Sequence, residues 1–488
     1  WYTNDDRVIV ARTEAEARKI AGTDDAIQDT DVLDTWFSSA IWPFSILGWP
    51  DETDDLKNFY PTSVLVTDRG IIFLWVSRMV MEGLEFTGKH PFDDVIITGT
   101  VLDKHGQRMS KTKGNGVDPL DVFEKYGVDA TRITLAASGA GTDMRWRDEA
   151  VEAYRNFANK IWNASRFCLL NSDGARVEED FGENISALAL HDRWIISRLN
   201  RISKKVNDAL NRYQFHEAIQ SLYHFFWNDF CDWYIELSKA QITLDNTGTD
   251  NADRDNACNS ARSRLITILE RSLRLLHPFM PFITEEIWRR LPAQNRHALR
   301  HPAYQGNSSI EPTIMLTAFP QCSEQLIDEK AEQQMDAVIE LISRARNIRS
   351  EMNIKPAESI SLLVASHDET LRQVFSTSID QIKRLAHASD LFVFRELNAP
   401  HASARAALGG GAELAIPLEG LIDFEKERQR LAKEELKLTT EYSRLDTQLS
   451  NPQFIERAQP TKIEELRARI PDIAARLKMI KQTLEALK

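Results

Sequence analysis

Near the carboxyl end the chain repeats residues at spacings that alternate between four and three. Phe424, Arg428, Leu431, Glu435, Leu438, Tyr442, Leu445 and Leu449 form one series; Ile463, Leu466, Ile470, Ile473, Leu477, Ile480, Leu484 and Leu487 form another. A mean repeat of about 3.5 keeps one stripe of a helix turned toward a partner, so each series predicts a helix with a coiled-coil seam. Asn451-Pro452 breaks the pattern, and a connection of about ten residues folds the second helix back on the first as an antiparallel hairpin. At about 1.5 Å per residue such an arm extends roughly 40 Å. Arg428 and Glu435 make the first seam imperfect, and Pro471 predicts a kink near the start of the returning helix. The segment from Leu421 to Lys488 holds 14 Lys and Arg against 12 Asp and Glu, in a chain of net charge −13. A dimerisation coiled coil and a basic binding arm both fit this pattern.

The 488 residues give room for about three domains of ordinary size. Hydrophobic residues make up 42% and charged residues 27%, enough apolar surface for globular cores. No run approaches the roughly 18 to 20 apolar residues of a membrane span. The start, Trp1-Tyr2-Thr3-Asn4-Asp5-Asp6, has neither an initiator Met nor the pattern of a secretory signal, and reads as if cut from something longer. Cys168, Cys231, Cys258 and Cys322 lie far apart with no Cys-x-x-Cys pair, which suits a reducing cytosol and predicts neither a disulfide framework nor a structural metal. The acidic balance disfavours whole-surface binding to nucleic acid and leaves room for a local basic face.

Residues 1–146 read as α/β. Asn58 to Thr67 ends in the strand-like run Val64-Leu65-Val66. Ile71 to Leu84 is apolar around most of its circumference, as a buried helix would be, and Asp94 to Thr100 is a second β-branched run. Asp118-Pro119 supplies an N-cap and a first-turn proline for a helix beyond. This order suits part of a doubly wound sheet, where ligands bind beyond the carboxyl ends of the strands. Residues 147–330 show amphipathic spacing at Ala150 to Leu170, Asp192 to Tyr213, Phe215 to Ala240 and Ala261 to His277, then a short helix at Thr284 to Arg290 and a loop from Gln294 to Pro320. Residues 331–418 read as a small α+β piece, with a helix at Gln334 to Arg349, strands at Ser359 to Val364 and Leu391 to Phe394, and a hinge or hairpin around Gly409-Gly410-Gly411. Residues 419–488 are the hairpin.

Between the second strand and the capped helix lies Arg108-Met109-Ser110-Lys111-Thr112-Lys113-Gly114-Asn115. Cations, hydroxyls and a glycine packed this closely can wrap a polyphosphate; the bland reading is a solvated basic turn. Its spelling resembles the KMSKS loop of class I aminoacyl-tRNA synthetases, with Arg108 in the first Lys position and Thr112 in the last Ser position. Asp34-Thr35-Trp36-Phe37-Ser38-Ser39, its continuation Ile41 to Pro50, and Ile71-Ile72-Phe73-Leu74-Trp75-Val76-Ser77-Arg78-Met79 are similar to segments of the valine, isoleucine and leucine enzymes, and most similar to the valyl ones. Gly141-Thr142-Asp143-Met144-Arg145-Trp146 resembles the passage from catalytic fold to anticodon-binding bundle, and Asp229 to Glu236 a signature of that bundle.

What the resemblance implies covers essentially the whole chain. Residues 1–146 would be the second half of a Rossmann-like catalytic domain, 147–330 an anticodon-binding bundle, 331–418 a connecting domain and 419–488 a tRNA-binding arm. The family's His-x-Gly-His motif is absent and its editing domain would precede residue 1, so the chain is expected to be a carboxyl-terminal half that is inactive alone. The activity implied is ATP-dependent activation of valine and its transfer to tRNA(Val), with Mg²⁺ accompanying ATP, by a cytoplasmic protein, monomeric when complete. ATP contacts fall to Arg108, Met109, Ser110, Lys111, Thr112 and Gly99. Lys111 would be the principal cation for charge developing on the phosphates, supported by Arg108. Trp36 and Trp75 would wall the amino-acid pocket; without the resemblance both read as packing residues. The aromatics of Asp229 to Glu236 read mainly as core, with Cys231 buried among them.

Two departures lie near the expected site. Asp68-Arg69-Gly70 puts glycine where valyl enzymes usually carry aspartate, and Thr98-Gly99-Thr100 replaces a segment that commonly begins with His. Isoleucyl or leucyl enzymes are disfavoured by the terminal hairpin and the lack of a carboxyl-terminal cysteine cluster. A non-catalytic tRNA-binding module is the alternative from another class.

Overall fold

The computed structural model describes residues 1–181, 184–243, 252–292, 312–422, 424–450 and 460–486. The Asn451-Pro452 break, Leu487 and the expected loop as far as residue 311 lie outside them. The chain divides into two compact units, Trp1–Glu152 with Ala209–Glu217, and Ala153–Asp208 with Ala218–Lys488.

In the first unit, α1 (Glu14–Ala21) starts on the Thr13 hydroxyl, which accepts from the Glu16 amide, and ends at Gly22 in the left-handed region. α2 (Thr35–Ser45) starts on Asp34, whose carboxylate accepts from the Trp36 amide. α3 (Asp54–Phe59) occupies the beginning of the stretch expected to lead into a strand, capped by Thr53. Strand β1 (Thr62–Asp68) then runs parallel to β2 (Phe92–Thr98), with Val64 opposite Asp94 and Val66 opposite Ile96. Their crossover is a 3-10 turn (Arg69–Ile71), a π turn (Ile72–Val76) and α4 (Ser77–Thr87), closed by left-handed Gly88. Short strands β3 (Val101–Leu102) and β4 (Met144–Arg145) form a second parallel pair. Between these lie α5 (Pro119–Tyr126), capped by Asp118, and α6 (Val128–Ala136).

The crossover is not buried all round, contrary to expectation. Val76 and Met79 pack with Phe92, Leu65 and Trp75 on one side of the strands. Ile72, Leu74, Met81 and Leu84 face solvent, and Phe73 is 80% exposed. The two strands and α2 together cover only part of the circumference of this crossover.

The second unit holds most of α7 (Asp148–Leu170), α8 (Leu190–Asn211) and α9 (Phe215–His224), followed by a π-helical stretch (Phe225–Tyr234), α10 (Ile235–Ile242), α11 (Ala252–Leu276) and α12 (Pro281–Trp288). Its core is Phe157, Ile161, Trp194, Leu199, Phe226, Phe230 and Leu269, all fully buried. Two buried carboxylates are compensated in place. Glu270 accepts from Arg274 and from the Trp288 indole, each at 2.8 Å, and Asp192 accepts from the Tyr234 hydroxyl at 2.8 Å beside Arg264 at 3.1 Å. α13 (Glu329–Glu351) docks on α8 through Arg193–Asp328, Arg198–Asp336 and Arg201–Glu332 pairs.

Beyond α13, β5 (Ile360–Ala365) pairs parallel with β6 (Ala388–Phe394) across α14 (Glu369–Thr377) and α15 (Ile379–Ala386). The hairpin β7 (Ser403–Ala407) and β8 (Glu413–Pro417), turning at Gly409–Gly411, completes a four-stranded sheet in the order β6-β5-β8-β7. Finally α16 (Phe424–Ser450) packs against α17 (Pro460–Ala486). Leu431, Leu445, Ile473 and Ile480 are buried between them. Glu434 pairs with Arg476 at 3.0 Å and Glu441 with Arg469 at 2.7 Å, an antiparallel order. Pro471 lies inside α17, which continues on both sides of it.

Candidate functional site

The basic loop leaves the sheet at the end of β3. Asp103 organises the turn: its Oδ1 accepts from the amides of His105 at 2.9 Å and Gln107 at 2.8 Å. An antiparallel bridge then pairs Leu102 with Arg108. Asn115 closes the other end. Its Nδ2 donates to Asp103 Oδ2 at 2.8 Å and to the Arg108 carbonyl at 3.3 Å, and its Oδ1 accepts from the Ser110 amide at 3.0 Å. Inside, Lys111–Lys113 form a 3-10 turn whose Lys113 amide donates to Ser110 Oγ at 3.3 Å. Gly114, at φ +60°, reverses the chain where a side chain would be strained. The loop is therefore a closed polar ring. The side chain of Lys111 lies outside the described set.

At the carboxyl ends of β1 and β2 two aspartates draw the surrounding segments together. Asp68 accepts from the Gly70 amide at 2.6 Å and the Thr100 hydroxyl at 3.1 Å, with Arg108 Nη2 at 3.9 Å. Asp143 accepts from the Thr100 amide at 3.0 Å and Arg69 at 2.7 Å. The Gly70 amide, with Thr100, Arg108 and Arg69, holds the Asp68 carboxyl below its usual range. The Thr100 amide, with Arg69 and Arg108, does the same for Asp143. Both are ionised at neutral pH, beside a largely exposed Arg108. Gly99 has a packing role: a Cβ there would lie 1.8 Å from the Thr142 carbonyl oxygen.

Beside Gly99 an apolar cavity of about 590 Å³ opens against Val64, Val66, Ile96, Leu135 and Met144. Behind the loop a polar cleft of about 1010 Å³ is lined by Asp103, Asn115, Asp118, Lys125, Trp146 and Asp148. Trp36 and Trp75 lie elsewhere in the unit. Trp36 is half-buried in the first turn of α2 with the Arg78 guanidinium 5.5 Å from its ring centre. Trp75 is half-buried in the π turn against the Val76–Met79–Phe92 cluster. No hydrogen bond, ion pair or ring contact among the described residues links either to the loop. Among the described residues no group of three or more His, Cys, Asp or Glu is placed to hold a metal ion.

The loop residues Arg108, Met109, Ser110 and Thr112 thus stand together, and Arg108 approaches Asp68. Asp68, Asn115 and Asp143 fell inside motifs quoted from sequence but, like Asp103, were given no site role there. The signal for Asp68 was present in the Asp68-Arg69-Gly70 departure: a carboxylate missing at one position stands two residues earlier.

A loop of this chemistry at the carboxyl ends of parallel strands is matched at the family level. Residues 3–147 match the tRNA synthetases class I (I, L, M and V), which gives the class. Residues 192–364 match the anticodon-binding domain of tRNA ligase, and 423–488 the valyl tRNA synthetase tRNA binding arm. The valine–tRNA ligase of Staphylococcus carnosus (strain TM300) is 41% identical over 493 residues, covering 100% of this chain and 52% of that protein. That of Geobacillus stearothermophilus is 44% identical over 465 residues, 94% of this chain and 50% of the relative. Over nearly its whole length the chain is similar to valine–tRNA ligases, and it spans about half the length of the curated relatives it matches. Among solved structures, the ternary complex of Agrobacterium radiobacter K84 agnB2 LeuRS–tRNA–LeuAMS aligns with a TM-score of 0.47 at 20% identity, over 62% of this chain and 34% of that one. The Mycobacterium tuberculosis methionyl-tRNA synthetase in complex with methionyl-adenylate aligns at 0.44 and 18%, over 59% and 54%.

Proposed function

We propose that this chain is part of a cytoplasmic, monomeric enzyme that joins valine to tRNA(Val) at the expense of ATP. The observation that carries the reading is sequence identity of 41% to 44% to valine–tRNA ligases across nearly the whole chain. In the first step the valine carboxylate attacks the α-phosphorus of ATP, supplied as its Mg²⁺ complex, and pyrophosphate leaves. In the second a tRNA hydroxyl attacks the adenylate carbonyl and AMP leaves. Negative charge grows on the phosphoryl oxygens during the first step, and preorganised cations aimed at it lower the barrier. Lys111 supplies the principal charge and Arg108 a second, while Met109, Ser110, Thr112 and Gly99 shape the ATP contacts. Asp103 and Asn115 fix the loop ends, which supports this assignment. Asp68 orients Arg108. Trp36 and Trp75 wall the valine pocket.

The units of this reading are a catalytic domain at 1–146, an anticodon-binding bundle at 147–330, a connecting domain at 331–418 and a coiled-coil arm at 419–488 that braces the tRNA. A chain without the His-x-Gly-His motif is expected not to charge tRNA alone. The test is therefore valine-dependent exchange of pyrophosphate into ATP by the full-length gene product, against Lys111→Ala. A loss of roughly 10²-fold or more supports the assignment, that being the scale of one lost transition-state contact. Exchange driven by isoleucine or leucine would move the substrate. Absence of exchange alongside intact tRNA binding would overturn the catalytic reading.

A further inference from the structure

Phe392 and Phe394 lie two residues apart on β6 and so point to the same face of the sheet. Their rings stack with centroids 6.4 Å apart and planes inclined by 17°. They are 47% and 42% exposed, and β6 is an edge strand. Such a pair on an open edge is an aggregation liability that proteins usually remove, unless something binds there.

The register shows what accompanies them. Phe392, Leu363, Ala415 and Arg405 form one row across the four strands, and Phe394, Ala365, Glu413 and Ala407 the next. With neighbouring strands about 4.8 Å apart, Arg405 stands roughly 14 Å across the face from Phe392. Arg405, and Arg395 just beyond β6, are exposed and have no ion pair or side-chain hydrogen bond among the described residues. The arginines of α8, by contrast, are each held by a carboxylate.

Exposed aromatic faces on a sheet take unpaired bases, and a free guanidinium takes a phosphate. The Glu413 carboxylate can accept from the exocyclic amino group of a base. A protein strand added at the β6 edge would use backbone groups and leave Arg405, three strands away, without a role. We propose that this sheet face is a stacking platform for unpaired bases of an RNA, Phe392 and Phe394 each carrying one base and Arg405 a phosphate. The proposal rests on the tRNA-binding reading above and adds a site outside the helical bundle and the paired helices.

The test uses the full-length gene product and transcribed tRNA(Val) at one fixed salt concentration. F392L/F394L keeps apolar bulk and removes the aromatic faces, while F392Y/F394Y keeps them. The leucine variant is expected to bind at least about tenfold more weakly and the tyrosine variant within about twofold of the parent. Parent-like affinity in the leucine variant overturns the platform and leaves tRNA binding standing, and an equal loss in both variants also overturns it. Altered self-association of the leucine variant at unchanged RNA affinity would make the face a protein contact. Failure of the full-length parent to bind tRNA would remove the wider reading and the platform with it.

Discussion

The Asn115 amide donates to the Asp103 carboxylate at 2.8 Å and thereby ties the end of the basic loop to its beginning. Asp103 is itself buried and also receives the amides of His105 and Gln107, so the pair fixes both ends of a segment whose cations would otherwise repel one another. Arg108, Ser110, Thr112 and Lys113 are exposed and contribute little burial of their own.

Replacing Asn115 with Ala removes three hydrogen bonds, those to Asp103, the Arg108 carbonyl and the Ser110 amide. Leaving buried Asp103 one donor short costs about 1–3 kcal/mol locally. The expected outcome is faster tryptic cleavage after Arg108, Lys111 or Lys113, by about tenfold or more, with cleavage elsewhere unchanged. A loop cut at the parental rate would show that these bonds do not set its order.

Gly99 makes a sharper test of how the 140–143 segment is held. A Cβ at this position would meet the Thr142 carbonyl oxygen at 1.8 Å, which backbone must move to relieve. Gly99→Ala is expected to destabilise the first unit by about 1–3 kcal/mol or more, the usual range for overpacking. That corresponds to a fall of roughly 5 °C in its thermal transition. Gly116→Ala, with nothing within 4 Å of its Cβ, is the control and should leave the transition in place.

Much of the architecture was written in periodicity. The α8, α11 and α13 patterns, the β5 and β6 runs and the Asp118-Pro119 start were legible because each is a local rule: one buried stripe, one β-branched run, one cap. Hairpin β7–β8 was legible only at its turn, where Gly409–Gly411 read as a hinge or hairpin; its strands were not placed, because Ala404, Ala406 and Ala415 carry too little hydrophobic contrast to announce them. The circumferentially apolar stretch of α4 misled for the opposite reason. Composition suggested burial on all sides, whereas Val76, Met79 and Gly83 are buried, Trp75 and Val80 are partly covered, and Ile72, Phe73, Leu74, Met81 and Leu84 are open. At the site, spelling located the loop, whereas Asp68, Asp143, Asp103 and Asn115 act through contacts between segments that sequence spacing does not reveal.

The cysteines separate cleanly by environment. Cys168, Cys231 and Cys258 are buried, while Cys322 is half-buried. Burial pushes the Cys231 thiol up to about 12, with the Lys160 cation opposing it, and raises Cys168 further still. Thiolate is the reactive form, so alkylation of the folded chain at about pH 8 should label Cys322 first. Mass spectrometry after brief iodoacetamide treatment should find Cys168 and Cys231 unlabelled until denaturant is added. Early labelling of Cys231 would contradict its place in the π-helical core.

The same π-helical stretch carries Asp229, whose carboxyl is pushed up from its ordinary 3.8 to about 6. Burial is the main cause, Arg198 opposes it, and Asp336 and Glu332 add to it. Between about pH 4 and pH 6 the folded chain holds this proton while the unfolded chain has released it. The folded state therefore binds more protons, and stability falls as pH rises through that interval. Above pH 6 the penalty is complete. Asp229→Asn keeps the shape and removes the charge, so it should stabilise the second unit at pH 7 by up to about 3 kcal/mol, since each tenfold change in proton affinity is worth roughly 1.4 kcal/mol. At pH 4 the two proteins should melt together. Denaturant unfolding of both at pH 4, 5, 6 and 7 checks this, and a difference that does not change with pH would mean that the Asp229 carboxyl titrates as it does in the unfolded chain.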